Sequence, residues 1–328
     1  SLHTPNLPKP RRFFYTSFRE CHNFRVMFSE LLQQGGLSLD RLQSFCLVAQ
    51  AGGVTRAAKG DPTRQSLFSR QIKELEEFFG AELIRRKGRG IVLTAAGARL
   101  NTIARECCSA LADFKRECRN QPIEVVIGGG ESAIQWLVMP RLDKLCDQLP
   151  NVRLKFLNLP TAEAVKRLAD GGIDLARVRG DAASRPLQAR SLGAMGYSLF
   201  VPAALIPATG RKDRAKLLDG LPLATLEGAG SFRTGLAQAA TKASVKLNIQ
   251  IECSSFPLAA KAVARGNVAA ILPTIAAADL PPAVATQVHL SFLKAFDREL
   301  CLATNPRLLR IRPVLTQAAA AVAQACHL

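Results

Sequence analysis

Histidine is nearly missing from this chain. The four present, His3, His22, His289 and His327, are too dispersed to build a metal site or to serve as a general base beside a nucleophile. Cysteine is not rare, but the paired spacing that zinc or a redox dithiol favours is missing. Cys21, Cys46, Cys107, Cys108, Cys118, Cys146, Cys253, Cys301 and Cys326 include no CxxC, and an odd number of thiols without an export signal reads as reduced, small buried side chains. No apolar run approaches the ~20 residues needed to span a bilayer. The opening segment, SLHTPNLPKPRRFFYTSFRECHNF, has basic residues but no apolar stretch followed by a small-residue cleavage site, so a cytoplasmic location without membrane contact is expected. Also missing are a GxSxG elbow, an HExxH pair and a dinucleotide fingerprint. Gly128-Gly129-Gly130-Glu131-Ser132 is not followed by the GK[ST] of a phosphate loop. Catalysis, a cofactor and a metal are therefore not expected.

What is present is apolar bulk and positive charge. At 328 residues, 48% hydrophobic and with a mean hydropathy of +0.08, the chain suits a globular protein of two or three folding units. Its formal charge of +18 points to a polyanionic partner without naming one. Residues 1–120 hold 20 Lys and Arg against 11 Asp and Glu, and the remaining 208 hold 24 against 15, so charge per residue is higher in the first part.

Residues 1–37 show no consistent period and are left as an unassigned extension, with Met27 an alternative start. From Leu37 the pattern changes. Leu42, Phe45, Val48 and Ala49 fall at helical spacing, with Asp40 suited to open the helix and Gly52-Gly53 to stop it. A short second helix is expected from an N-cap at Thr55 to Gly60, and then a turn at Asp61-Pro62-Thr63. A third helix follows over Gln65–Phe79, ended by Gly80. Leu67, Phe68, Ile72, Leu75, Phe78 and Phe79 form its apolar stripe, and Gln65, Ser66, Ser69, Arg70 and Lys73 its other side. Amide, hydroxyl and guanidinium groups on one edge are what reading bases and phosphates requires, while the opposite edge holds the helix to its domain. The acidic residues Glu74, Glu76 and Glu77 confine any DNA contact to the first half. The same pattern also suits an ordinary surface helix. Next, Leu83-Ile84 and Ile91-Val92-Leu93 flank a tip rich in Gly and Arg, a hairpin able to reach phosphates or the minor groove.

Three stretches, AQAGGVTRAAKG, RQSLFSRQIKELEEFFGAELIRRKGRG and IVLTAAGARL, resemble the DNA-binding region of LysR-type transcription regulators, block for block and without gaps. The resemblance implies a winged helix-turn-helix over 38–94, with Gln65, Ser66, Ser69 and Arg70 facing DNA and Arg86 at the wing; Thr55, Arg56, Arg64, Lys73 and Arg89 complete the expected DNA-binding set. The family usually has a buried aliphatic where Asp61 stands and Ser where Arg64 stands, and Asp61-Pro62 offers an alternative start for the third helix, one turn earlier.

Thr94 is suited to cap a long helix over about 95–120. Leu100, Ile103, Cys107, Ala110 and Phe114 step by three and four, a heptad seam over two repeats; the alternative is packing on its own domain. In the family this linker helix is the dimer contact, so a homodimer, paired into a tetramer, is implied. Beyond Gln121-Pro122 strands and helices alternate, which suggests a parallel sheet covered by helices. A second unit of the same texture begins near Tyr197. Leu300–Ala303 and a helix over 313–325 are expected to return to the first. Two α/β lobes, the first about 121–193 with 298–328 and the second about 194–297, resemble the family's effector-binding domain, itself similar to type 2 periplasmic binding proteins; DGGIDLARVRG and ARGNVAAILP carry that likeness. The fold class is thus mixed α and α/β.

Ligands of such sheets bind outside the carboxyl ends of the strands. That places Ser132, Thr161 and Arg179 from the first lobe, and Ser231, Phe232, Phe256 and Thr274 from the second, around an effector; ordinary caps and surface charges are the alternative for each. Arg177 and Arg179 occupy a strand that would normally be apolar, so an anionic effector such as a carboxylate is expected. The reading is a sequence-specific regulator of double-stranded DNA controlled by a small molecule, with RNA polymerase a further partner. Its rivals are an α/β binding protein or enzyme with an incidental helix-turn-helix, and a DNA-binding protein that senses nothing.

Overall fold

The structure is a computed structural model that describes Leu31 and residues 35–88, 90–206, 218, 220–228 and 230–328; Met27 and most of the amino-terminal extension lie outside the described residues. The chain divides into two units between Ala104 and Arg105.

The first unit holds α1 (Leu39–Ala51), α2 (Val54–Ala57), α3 (Pro62–Phe79), the hairpin β1 (Ile84–Lys87) and β2 (Gly90–Leu93), and the start of α4 (Ala95–Glu117). Local chemistry explains the boundaries and corrects several expectations. The first helix is opened by Ser38, whose hydroxyl accepts from the Arg41 backbone N–H, while Asp40 lies inside its first turn. The second is opened by Gly53, which leaves Thr55 within the helix and not at its cap. The third begins at Pro62, three residues ahead of Gln65. Asp61 Oδ1 accepts from Thr63 N–H at 2.9 Å, and proline at the first helical position gives up no hydrogen bond there. Phe45, Val48, Phe68, Ile72, Leu75, Leu83 and Ala104 close the core. Burying each of the larger aliphatic or aromatic side chains stabilises by ~1.5–3 kcal/mol. Leu67 and Phe79 do not join it; both are exposed, so the apolar stripe is narrower than periodicity suggests.

The wing is tied down at three points. Glu76 Oε1 accepts from the backbone N–H groups of Leu83 at 2.8 Å and Ile84 at 3.2 Å; Ile91 N–H donates to the Gly52 carbonyl at 3.1 Å; and Thr94 donates to the Glu82 carbonyl at 2.6 Å. Thr94 also accepts from Gly97 N–H at 3.0 Å, capping α4 as expected. At Gly97 the helix passes so close to the Leu83 carbonyl that a Cβ would overlap backbone atoms, which cannot rotate aside. Gly97→Ala is expected to cost about 3 kcal/mol, at the upper end for overpacking, and to lower the thermal midpoint of the first unit in a circular dichroism melt. A change below about 0.5 kcal/mol would contradict this close approach.

The second unit contains two five-stranded sheets. In the first the strand order is β4-β3-β5-β12-β6, and in the second β11-β7-β10-β8-β9. The first sheet uses β3 (Ile123–Gly129), β4 (Val152–Asn158), β5 (Leu175–Arg179), β6 (Gln188–Met195) and β12 (Arg298–Thr304); β3 pairs in parallel with β4 and β5, whereas β12 pairs antiparallel with β5 and β6. The second uses β7 (Tyr197–Pro202), β8 (Pro222–Leu226), β9 (Asn248–Cys253), β10 (Ala269–Pro273) and β11 (Ala285–Val288), with β7 antiparallel to β10 and β11. The sheets are therefore mixed and not wholly parallel. In each, the antiparallel members are strands adjoining the two crossings of the chain between sheets, between Met195 and Tyr197 and ahead of Arg298. A helical run that passes through π geometry at Ile134–Val138 leads into α5 (Leu142–Gln148), and α6 (Thr161–Ala169) follows β4. The helices α7 (Ser231–Lys242) and α8 (Phe256–Ala264) follow β8 and β9, and α9 (Pro306–Ile311) and α10 (Val314–Ala325) complete the return to the first sheet.

Candidate functional site

Two places bring predicted residues together, one in each unit. On α3, Ser66, Ser69, Arg70 and Lys73 are all exposed and lie at i, i+3, i+4 and i+7, one face of the helix, while Phe68, Ile72 and Leu75 hold the other in the core. The acids that follow are neutralised or occupied. Glu74 pairs with Arg41 and, at 3.7 Å, with Arg70; Glu77 lies 3.7 Å from Lys73; Glu76 serves the wing backbone. The Arg64 guanidinium stands over the Phe68 ring, 5.7 Å from its centroid, a cation–π contact that leaves the charge at the surface. Gln65 is half-buried and accepts from the Thr55 hydroxyl at 3.4 Å, so these two side chains face each other. The Arg56 guanidinium donates to the Gly52 carbonyl, the same oxygen that receives Ile91 N–H, and so braces the wing. Arg86 is exposed on β1; Arg89 lies outside the described residues.

Along α4, Ile103, Cys107, Leu111 and Phe114 are exposed, with Phe114 at 63%. Leu100 instead packs on the first unit's core, and Ala110 is half-buried. Leu111, outside the predicted seam, belongs with the exposed set.

In the second unit the predicted effector residues stand at strand ends. Ser132 follows β3 and Thr161 follows β4, and these strands lie side by side with Gly129 opposite Asn158. Phe232 and Phe256 open α7 and α8, and their rings meet at 4.9 Å. Ser231 begins α7; its side chain lies outside the described residues. Thr274 follows β10 and its N–H donates to the Gly196 carbonyl at 2.9 Å, at the crossing between sheets. Arg179 does not converge on the others: it is paired with Asp181 at 3.5 Å and is 41% exposed.

The structure adds residues that strand order alone did not single out. Tyr197, first residue after the crossing, stacks on Phe232 at 5.0 Å and approaches Phe256 and Phe296 at 5.9 and 6.2 Å. Burial pushes the Tyr197 hydroxyl above its ordinary pKa, so it stays a neutral donor. Trp136, the sole tryptophan, projects from the first lobe into the core of the second, where its Nε1 donates to Asp279 Oδ2 at 2.8 Å and Gln135 donates to the same oxygen at 2.6 Å. An amphipathic residue in a helical run was visible in the sequence; its partner 143 residues away was not. A surface depression of about 590 Å³ lies elsewhere, at the end of α4 beside Lys115, Arg116, Arg119 and Arg153.

Among the described residues no group of His, Cys, Asp or Glu is placed to hold a metal ion, and no helix is long and apolar enough to cross a membrane. None of their cysteines stands in a disulfide, and burial pushes Cys301 and Cys326 above the ordinary thiol range, which keeps them unreactive.

These geometries agree with what the chain resembles. Residues 39–98 match the family of bacterial regulatory helix-turn-helix proteins of the lysR type, and residues 123–325 match the LysR substrate binding domain. A probable nitrogen assimilation transcriptional activator of Synechococcus elongatus is 34% identical over 146 residues, 43% of this chain and 47% of that protein; the chain thus matches about half the length of such relatives. The regulator BbuR of Bordetella bronchiseptica is 32% identical over 196 residues, 57% of this chain and 60% of its own. Among solved structures, ArgP of Mycobacterium tuberculosis superimposes with a TM-score of 0.60 at 18% identity, over 85% of this chain and 96% of that one, a likeness of fold alone. With both family models together spanning most of the chain, the protein belongs to the lysR family of bacterial regulatory helix-turn-helix proteins.

Proposed function

We propose that this chain is a cytoplasmic, sequence-specific regulator of transcription, and not an enzyme, whose hold on DNA answers to a small molecule. The observation that carries the reading is the exposed edge of α3. Ser66, Ser69, Arg70 and Lys73 stand free of the core on a helix whose opposite side is locked, the division a recognition helix needs to enter a major groove. Arg64 and Lys73 supply phosphate contacts, Arg70 reaches a phosphate or a base edge, Ser66 and Ser69 with Gln65 offer hydrogen bonds to base edges, Thr55 holds Gln65, and Arg86 with Arg89 adds positive charge on the wing. Arg56 acts by bracing the wing. The division of labour is DNA binding by 38–94, pairing by the helix over 95–120, and effector binding by 121–328. In the last of these Ser132, Thr161, Ser231, Phe232, Phe256 and Thr274 border the ligand. Names of relatives as transcriptional activators and regulators support the reading.

Selection of genomic fragments by the purified full chain at fixed salt tests it. Enrichment of discrete sites, bound at least ~10³-fold more tightly than bulk DNA, is the expected outcome. Uniform binding of all fragments refutes it.

Ile103, Cys107, Leu111 and Phe114 form the pairing surface, since a stripe this apolar on an exposed helix is out of place on a monomer. Placing a charge there leaves it desolvated in the pair. Ile103→Asp is expected to shift sedimentation from dimer to monomer at micromolar concentration and to weaken DNA binding by ~10²-fold or more through loss of the second half-site. An unchanged sedimentation profile would move the pairing surface elsewhere.

A further inference from the structure

In the second unit the placement of Arg177 calls for a ligand. It lies on β5 between Ala176 and Val178, both buried, in register with Leu302 of β12, where an aliphatic side chain would fill the same volume. Its Nε and Nη1 are fully buried, and neither has a hydrogen-bond partner. The side chain rises beside Gly129, the last residue of β3, whose missing side chain leaves it room: a Cβ there would sit 3.3 Å from the Arg177 Cβ and 3.9 Å from its Nε. It therefore emerges at the carboxyl end of the first sheet, beside the helical turn that begins at Glu131 and within electrostatic reach of Tyr197. Burial pulls its pKa down to about 10, which still leaves a full positive charge at neutral pH.

Arg177 as a whole is half-buried, but a guanidinium with two buried nitrogens left unpaired is costly, and a fold tolerates it where something arriving later compensates the charge. The neighbouring cations do not need such a partner. Arg179 is paired with Asp181, and Arg298 donates to the Ala295 and Asp297 carbonyls at 3.1 Å. One unanswered positive charge calls for one negative charge. Tyr197, the ring within electrostatic reach of Arg177, belongs to a cluster with Phe232, Phe256 and Phe296, with ring centroids 4.9–6.2 Å apart, which offers ring faces and edges to an apolar body.

Resting on the regulatory reading above, we infer that the effector is a monocarboxylate carrying an aromatic or similarly flat apolar group, its carboxylate held by Arg177 and its body against Tyr197, Phe232 and Phe256. A flat guanidinium matches a carboxylate through two parallel N–H···O bonds, and the buried setting makes that pair strong. A dianion such as phosphate would leave one charge unmatched.

Trp136 makes the test direct, because the sole tryptophan sits in the contact between lobes. The full-length protein is titrated with benzoate, indole-3-acetate, hexanoate, benzamide and inorganic phosphate, following tryptophan emission (for indole-3-acetate, thermal midpoint alone) and thermal midpoint. At least one aromatic carboxylate should raise the midpoint by several degrees at millimolar concentration, benzamide and phosphate should not, and hexanoate should act more weakly. Arg177→Met fills the same space without charge. It should raise the midpoint of the ligand-free protein, since a buried charge without a partner is removed, and reduce the response to the aromatic carboxylate at least 30-fold. A lower midpoint for Arg177→Met would make the arginine structural and overturn the inference. So would an equal response to benzamide, or silence toward every carboxylate. Fragment selection by the unmodified chain separates the two readings: selective DNA binding with no carboxylate response removes only the effector class, whereas loss of DNA selectivity removes the regulator itself.

Discussion

Arg312→Leu is expected to destabilise the second unit by ~3–5 kcal/mol, because it leaves two buried carboxylates without their shared cation. The guanidinium donates through Nε to Asp113 Oδ2 at 2.5 Å and through Nη2 to Asp113 Oδ1 at 3.2 Å, grips Asp174 through Nη1, and reaches the Glu124 carbonyl at 2.9 Å. Arg312 and Asp174 are each 5% exposed and Asp113 9%, so solvent does little to soften the loss. The contact joins three distant parts of the chain: Asp113 late in α4, Asp174 just ahead of β5, and Arg312 between α9 and α10. Asp174 is further committed, since its Oδ2 accepts from Val126 N–H at 2.7 Å in the central strand. For a unit of this size the thermal midpoint should fall by ~6–20 °C. Arg312→Lys should lose part of this, since an ammonium keeps the charge but not the fork that grips both acids.

The deficit carries a pH signature. Burial already pushes the Asp174 carboxyl above its ordinary range despite Arg312, and removing the cation pushes it further in the same direction. A carboxyl whose folded-state pKa is raised favours the fold at low pH and opposes it as pH rises through that pKa. The variant should therefore lie closer to the parent at about pH 5 than at pH 7. Urea denaturation at both values reads this out; a loss below about 1 kcal/mol at pH 7 would show that the three groups are individually solvated.

Arg70→Ala is the second large effect, on affinity and not on stability. The side chain is 70% exposed and its pairing with Glu74 is loose at 3.7 Å, so truncation should leave the fold within about 0.5 kcal/mol of the parent. On DNA the same guanidinium sits at the centre of the exposed face between Ser66, Ser69 and Lys73. If it contacts a base, affinity for the selected site should fall ~5- to 150-fold with relaxed preference at one position, corresponding to 1–3 kcal/mol. If it contacts a phosphate, all sequences should weaken together and the salt dependence should lose about one ion. Titrations at several salt concentrations separate the two, and unchanged affinity with unchanged slope would remove Arg70 from the interface.

Much of the amino-terminal unit was legible because its information is local. Helix periodicity, Gly52 and Gly80 at the helix ends, Thr94 as a cap and the Gly–Arg hairpin tip each act within a few residues, and each stands where the sequence puts it. Boundaries were less secure where two caps competed. Ser38 took the place given to Asp40, and Asp61 with Pro62 lengthened α3 by three residues, since a side-chain acceptor and a fixed proline φ act together there. Leu67 and Phe79 mark another limit: their spacing suits the stripe, but exposure depends on what packs opposite.

The sequence by itself determined the order of helices and strands, the polar edge of α3 and the basic wing, because these follow from patterns and caps read along the chain. Only the tertiary structure decided that two nitrogens of Arg177 are buried without a partner while Arg179 has one, that Arg312 meets Asp113 and Asp174, and that Tyr197 joins Phe232 and Phe256. Arg312 meets its two acids from 138 and 199 residues away, and no local pattern encodes that distance.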